Sequence, residues 1–181
     1  MNHCYLFIGP SGSGKTTLAA NCFTPDQKIV SYTTRLKRNG EKDNVDYHFI
    51  SNKAFEDMIQ QGAFAEYDCY DHHYYGIAMS SIQEALKKGD CYDPITMSGF
   101  WNLRKKFDIT VVPVLIDVSK ETIYQRLKYR QASFDEINRR LELFSEEQKQ
   151  YPELEKIPDL IKINGEQPLK AMIQQLKANL L

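Results

Sequence analysis

Residues 9–16 read Gly9-Pro10-Ser11-Gly12-Ser13-Gly14-Lys15-Thr16, with three glycines in six positions directly after the apolar run Tyr5-Leu6-Phe7-Ile8. Glycine takes φ > 0 without strain, so this density marks a tight reversal of the backbone rather than more strand or the interior of a helix. A strand enters the turn, and a helix leaves it at about Gly14 and stops before Pro25, since a residue preceding proline avoids helical angles. Strand, glycine turn and helix in that order open an α/β fold with a mainly parallel sheet.

The rest of the chain keeps the alternation. Strands are expected at 28–31, 47–50, 91–97, 109–118 and 160–163, and an aromatic-rich strand or hairpin at 64–75. Helices are expected at 52–61, closed by Gly62, at 120–129 and 134–149, and from Pro168 onward. Ser81-Ile82-Gln83-Glu84 has capping-box spacing and starts a further helix that Gly89 ends. The 109–118 run has the composition of a strand buried on both faces, although Pro113 lacks a ladder donor and suggests an edge or a bulge. Residues 33–45 are polar and aperiodic, carry Arg35, Lys37, Arg38 and Lys42, and are too long to be only a connector.

At 181 residues the chain has room for about one domain with space for a small inserted lobe. Lys plus Arg number 23 against 24 Asp plus Glu, a net charge of −1, so no global field recruits nucleic acid or an anionic membrane. The longest strongly apolar stretch, 109–118, is about half what a bilayer requires. The start has neither a basic region nor a small-residue cleavage site, which favours a cytoplasmic protein. Cys4, Cys22, Cys69 and Cys91 fit neither a zinc knuckle nor a tight disulfide framework, so free buried thiols are expected.

The octet at 9–16 fits the Walker A pattern in the context that its chemistry needs. Gly9, Ser11, Gly12, Ser13, Gly14, Lys15, Thr16 and Thr17 form the candidate ATP cradle. Curled backbone N–H groups and a helix N-terminus face phosphate oxygens, Lys15 bridges the β- and γ-phosphates, and the Thr16 hydroxyl ligates Mg²⁺. What that triphosphate serves has to be read elsewhere in the chain.

Thr33-Thr34-Arg35-Leu36-Lys37-Arg38, then Gly40-Glu41, Asp46-Tyr47, Phe49-Ile50-Ser51 and Tyr74-Tyr75-Gly76, together with the Walker turn, resemble the guanylate kinase family over nearly the whole chain. The resemblance implies a P-loop NTPase-type parallel core (1–31, 80–125, 146–181), an inserted acceptor-binding lobe (32–79) and a helical lid (126–145). It implies ATP and Mg²⁺, with GMP or dGMP as acceptor and the nucleoside diphosphate as product. Arg35 and Arg38 match arginines that hold the acceptor phosphate, a role suited to planar guanidinium forks. Tyr47 and Tyr75 match tyrosines that complete this grip, while Tyr67, Tyr70 and Tyr74 are assigned to the core. Glu66 matches the base-reading glutamate, since one carboxylate accepts from guanine N1–H and N2–H₂ but meets an acceptor at adenine N1. Ser31 matches a serine that donates to O6. Arg130 and Arg140 match lid arginines that close on the moving phosphoryl group, and Asn164 an asparagine near the donor adenine. With Lys15 and Arg35, these two lid arginines make up the expected catalytic set. For Arg126 and Arg139, surface ion pairing on a helix is the competing reading.

The pattern breaks in three places. A Glu and an Asp usually stand two apart on the strand after the capping-box helix, and here those slots hold Pro94 and Thr96. Thr96 remains the acceptor-side candidate at its slot. Asp93 is adjacent, but one step along a strand reverses the face, so it substitutes only if Pro94 creates a bulge. Ile77 replaces a small hydroxyl residue after Tyr-Gly. These departures touch base reading and spare the phosphate machinery. Two rivals therefore stay open: a same-fold kinase for another nucleotide or a sugar phosphate, and a non-catalytic interaction domain, which would not require an intact P-loop. The partners expected are small-molecule nucleotides, with oligomeric state open.

Overall fold

The computed structural model describes residues 1–180 and, of Ile109, the backbone alone. Strand β1 (Cys4–Ile8) runs into the glycine turn, and α1 (Lys15–Cys22) leaves it. Five apolar residues in a row make β1 a strand for burial on both faces, and all five are buried. It lies inside a four-stranded, all-parallel sheet of order β6-β1-β7-β8, where β6 is Cys91–Pro94, β7 Val111–Asp117 and β8 Ile161–Asn164.

Side chains alternate across this sheet into two cores. Tyr5 and Phe7 pack with Val112, Val114 and Ile116 of β7 under α1, α5 (Lys120–Tyr129), α6 (Phe134–Gln148) and α8 (Leu169–Lys177). Cys4, Leu6 and Ile8 face the other way, onto α3 (Met79–Lys88), α4 (Met97–Phe107) and the short α7 (Tyr151–Leu154). The inserted segment builds a second sheet of order β3-β2-β5-β4 from β2 (Tyr32–Thr33), β3 (His48–Phe49), β4 (Phe64–Tyr70) and β5 (His73–Ala78), with α2 (Asn52–Gln60) against it. Phe55 of α2 stacks on Phe64 and Tyr74, and these rings form the centre of the lobe.

Several expectations are corrected. Residues 28–31 form no strand: Lys28 makes one isolated parallel bridge to Tyr92, and pairing resumes only at Tyr32 in the second sheet. Ser81 does not cap α3, which starts two residues earlier, straight out of β5, with Ala78 as N-cap. The strand expected to reach residue 97 ends at Pro94, because the Thr96 hydroxyl accepts from Gly99 N–H and caps α4, a helix that hydrophobic period alone had not marked. Strand β7 is interior rather than an edge, and its ladder with β8 begins only at Val114, one residue past Pro113. All four cysteines are free, but only Cys4 and Cys91 are buried, while Cys69 is exposed.

Candidate functional site

The glycine turn is shaped by its neighbours. Gly9 sits at φ +138°, and a Cβ there would lie 2.9 Å from the Ile116 carbonyl oxygen of β7, so close packing and angle both require glycine. Gly12 and Gly14 also have positive φ. Gly14 caps α1 without a side chain, which leaves the first-turn N–H groups free of side-chain partners and turned toward an anion-binding end. The turn is braced from α5, where Arg126 donates to the carbonyls of Gly12 (3.2 Å), Ser13 (2.8 Å) and Gly165 (2.9 Å). The surface ion pair expected for Arg126 is thus replaced by a support for the phosphate loop.

Lys15 folds back over the loop and donates to the carbonyls of Gly9 (2.5 Å) and Pro10 (2.9 Å). Burial lowers its pKa to about 8, Glu147 opposes that shift, and Arg140 and Arg38 add to it. The Ser13 hydroxyl is buried with no hydrogen-bond partner.

One cleft of about 200 Å³ gathers most of the expected site residues: Gly9, Ser11, Gly12, Gly14, Lys15, Thr16, Thr17, Ser31, Arg38, Tyr47, Glu66, Tyr75, Thr96, Arg130 and Arg140. Three expected residues stand apart from its lining: Ser13, whose hydroxyl is buried beneath the loop, Arg35 and Asn164. Arg35 is spent on the lobe itself, bonding both carboxylate oxygens of Glu41 at 2.9 Å and lying over the rings of Tyr47 and Phe49. Asn164 lines a separate shallow surface depression with Asp117 and Ser119.

Glu66 is 6% exposed on β4. Burial lifts its carboxyl to about 8, and the charges of Asp68 and Asp93 push the same way. The first turn of α4 rests on it: a Cβ on Gly99 would come 2.5 Å from Glu66 Oε2. Asp93 is 1% exposed and also lines the cleft, with neither oxygen in an ordinary hydrogen bond and the Lys28 ammonium 3.5 Å away. Burial raises its carboxyl to about 6 against the pull of Lys28 and Ser31. No bulge brings it there, since β1 and β6 pair in unbroken register from Cys4↔Cys91 to Phe7↔Pro94. The strand simply ends, and Pro94, Ile95 and Thr96 continue the same wall.

Three further lining residues escaped sequence reasoning. Tyr70, expected in the core, faces the cleft with Arg140 5.9 Å from its ring, whereas Tyr67 is 44% exposed. Asp68 follows Glu66 by two, a spacing that the strand period puts on one face, and its carboxylate accepts from Ser98 Oγ. Glu147 lies seven residues after Arg140 on α6, so the helical period puts both on one face.

The sequence pattern of the family described as Guanylate kinase matches residues 1–178. A guanylate kinase of Syntrophotalea carbinolica is 36% identical over 137 residues, 74% of this chain and 65% of that protein, so the chain matches just under two thirds of that relative. One from Streptococcus agalactiae is 38% identical over 148 residues, 78% of this chain and 71% of that protein. The crystal structure of guanylate kinase from Anaplasma phagocytophilum superposes with a TM-score of 0.71 at 21% identity, over 98% of this chain and 83% of that one, and this likeness carries the fold. With the family pattern spanning all but the last few residues, the chain belongs to the guanylate kinase family.

Proposed function

We propose that the chain transfers the γ-phosphoryl group of ATP to a guanine nucleoside monophosphate, GMP or dGMP, giving ADP and the diphosphate. The observation that carries this reading is a single cleft lined by both the phosphate loop and the buried carboxylate of Glu66. Guanine brings N1–H and N2–H₂ to that carboxylate, which compensates the burial that otherwise holds it protonated. Arg38, Tyr47 and Tyr75 surround the acceptor phosphate, while Arg35 acts from behind, clamping Glu41 and with it the loop that carries Arg38. Lys15, Arg130 and Arg140 meet the donor phosphates, and Ser31 faces the base. No general base is required, because an acceptor phosphate is already anionic at neutral pH and the reaction reduces to alignment and charge neutralisation.

The donor set suits Mg²⁺. Among the described residues no group of three His, Cys, Asp or Glu could enclose a metal, so the chain offers the Thr16 hydroxyl and leaves the other positions to phosphate oxygens and water. When bound, that ion neutralises charge between the β- and γ-phosphates.

A second acceptor class is favoured by Ile77, by Pro94 and by the capping role that occupies the Thr96 hydroxyl, all of which thin out base-reading groups. An ADP-release assay with ATP·Mg against GMP, dGMP, AMP, CMP, UMP and ribose phosphates separates the readings. Preference for GMP or dGMP is the expected result. Preference for another acceptor moves the assignment to the same-fold rival, and transfer to none of them moves it to an interaction domain.

A further inference from the structure

The turn between β4 and β5 is unusual for its residues. Asp71 and His72 both have positive φ, 52° and 63°, the pair of angles that a two-residue hairpin needs and that glycine usually supplies. Asp and His enter this region more readily than most L-residues but less readily than glycine, so contacts around the turn help to hold them there. A carboxylate at a hairpin tip would also be expected in water. Instead the side chain of Asp71 is 7% exposed and reaches across to α6, with Oδ1 2.6 Å from Arg139 Nε and Oδ2 3.0 Å from Arg140 Nη2. This contact joins the inserted lobe to the helix expected to act as a lid.

Arg140 is the informative partner. Its side chain is 9% exposed and lines the same cleft as Lys15 and Thr16. Its guanidinium lies over Tyr70, the residue before Asp71, and Glu136 stands 3.9 Å from Nε. Nε itself is buried without a hydrogen-bond partner. Asp71 therefore grips one edge of the guanidinium, while Nε stays unpaired on a side chain that lines the same cleft as Lys15, and an unmade buried donor is costly unless something accepts from it.

We propose that Asp71 is a positioning residue: it fastens the lid helix to the acceptor lobe and aims the free edge of Arg140 at the phosphoryl group in transit. Asp71 touches no substrate and acts through Arg140. Part of the ordering of that arginine is completed before nucleotide arrives, so less is lost on reaching the transition state. The inference rests on the reading of the cleft as a phosphoryl-transfer site.

Two readouts keep the inference separate from that reading. In steady-state assays with ATP·Mg and GMP, Asp71→Asn lowers kcat about tenfold and moves either KM less than about threefold, and Asp71→Glu recovers most of the loss. In an Arg140→Gln background, Asp71→Asn causes no further loss. Amide hydrogen exchange of the ligand-free protein speeds up in α6 and at the hairpin tip on Asp71→Asn. Asp71→Ser takes its place if the Asn variant does not fold. A kcat within twofold of wild type, equal losses in both backgrounds, or unchanged exchange in α6 overturns the proposal. A wild-type protein that phosphorylates no acceptor sinks the kinase reading instead, and the exchange experiment alone then decides whether the latch exists.

Discussion

Burial holds the Glu66 carboxyl near 8, so the free protein carries it mostly neutral at physiological pH. The ionised form is the one that accepts two guanine donors, so binding releases a proton and acceptor affinity rises with pH up to about 8. Measured between pH 6 and 8.5, the KM for GMP is expected to fall, and Glu66→Gln to flatten that profile. The same variant turns one acceptor into a donor facing a donor and should remove about 2–4 kcal/mol of the preference for GMP over AMP in kcat/KM. An unchanged GMP-to-AMP ratio would mean that Glu66 does not read the base. Lys15→Ala should lower kcat by about 10²–10³ while the melting temperature of the ligand-free protein stays close to wild type, because the side chain packs on loop carbonyls rather than in a core. Turnover within tenfold of wild type would refute the role assigned to it. That most of the expected residues would share one cleft was readable because each pairs a chemical type with a spacing. Asp71 and Arg126 were not, since their partners lie 68 and 113 residues away and no local pattern announces them.

Between residues and domains, the loop from β2 to β3 behaves as one unit. Glu41 accepts from both terminal nitrogens of Arg35 and from the backbone N–H of Arg38 at 2.7 Å, so a single carboxylate sets the shape of the loop proposed to hold the acceptor phosphate. Glu41→Gln is expected to raise the KM for acceptor severalfold and leave that for ATP within about twofold, although Glu41 itself meets no substrate. Equal changes in both would place the loop elsewhere in the reaction. Elements with a strong period were legible: β1, α5, α6 and β8 lie within two residues of their expected bounds. Those fixed by long-range competition were not. The segment at 28–31 has strand composition but only one bridge partner, and α4 starts where Thr96 offers a cap rather than where hydrophobic periodicity begins.

For the whole molecule, the raised carboxyls set a pH dependence of stability, and burial raises Glu147 as well as Glu66 and Asp93. Glu66 and Asp93 have folded-state pKa values near 8 and 6, above their ordinary values of 4.5 and 3.8, so the folded protein holds protons that the unfolded chain gives up. Their contribution is complete below the ordinary values and is lost as pH rises through the raised ones. Lys15, depressed to about 8, adds no slope below that point. The melting temperature of the ligand-free protein is therefore expected to decline from pH 5 to 8, and saturating GMP to reduce that decline. A rise across the same interval in thermal melts would contradict the burial of both groups. The four cysteines differ in their access to solvent. Cys4 and Cys91 are sealed in the core and burial raises the Cys22 thiol, whereas Cys69 is exposed two residues from the hairpin tip that meets α6. A maleimide dye on the unmodified chain should thus attach first at Cys69, giving a fluorescent reporter beside the contact with α6 without engineering a label site.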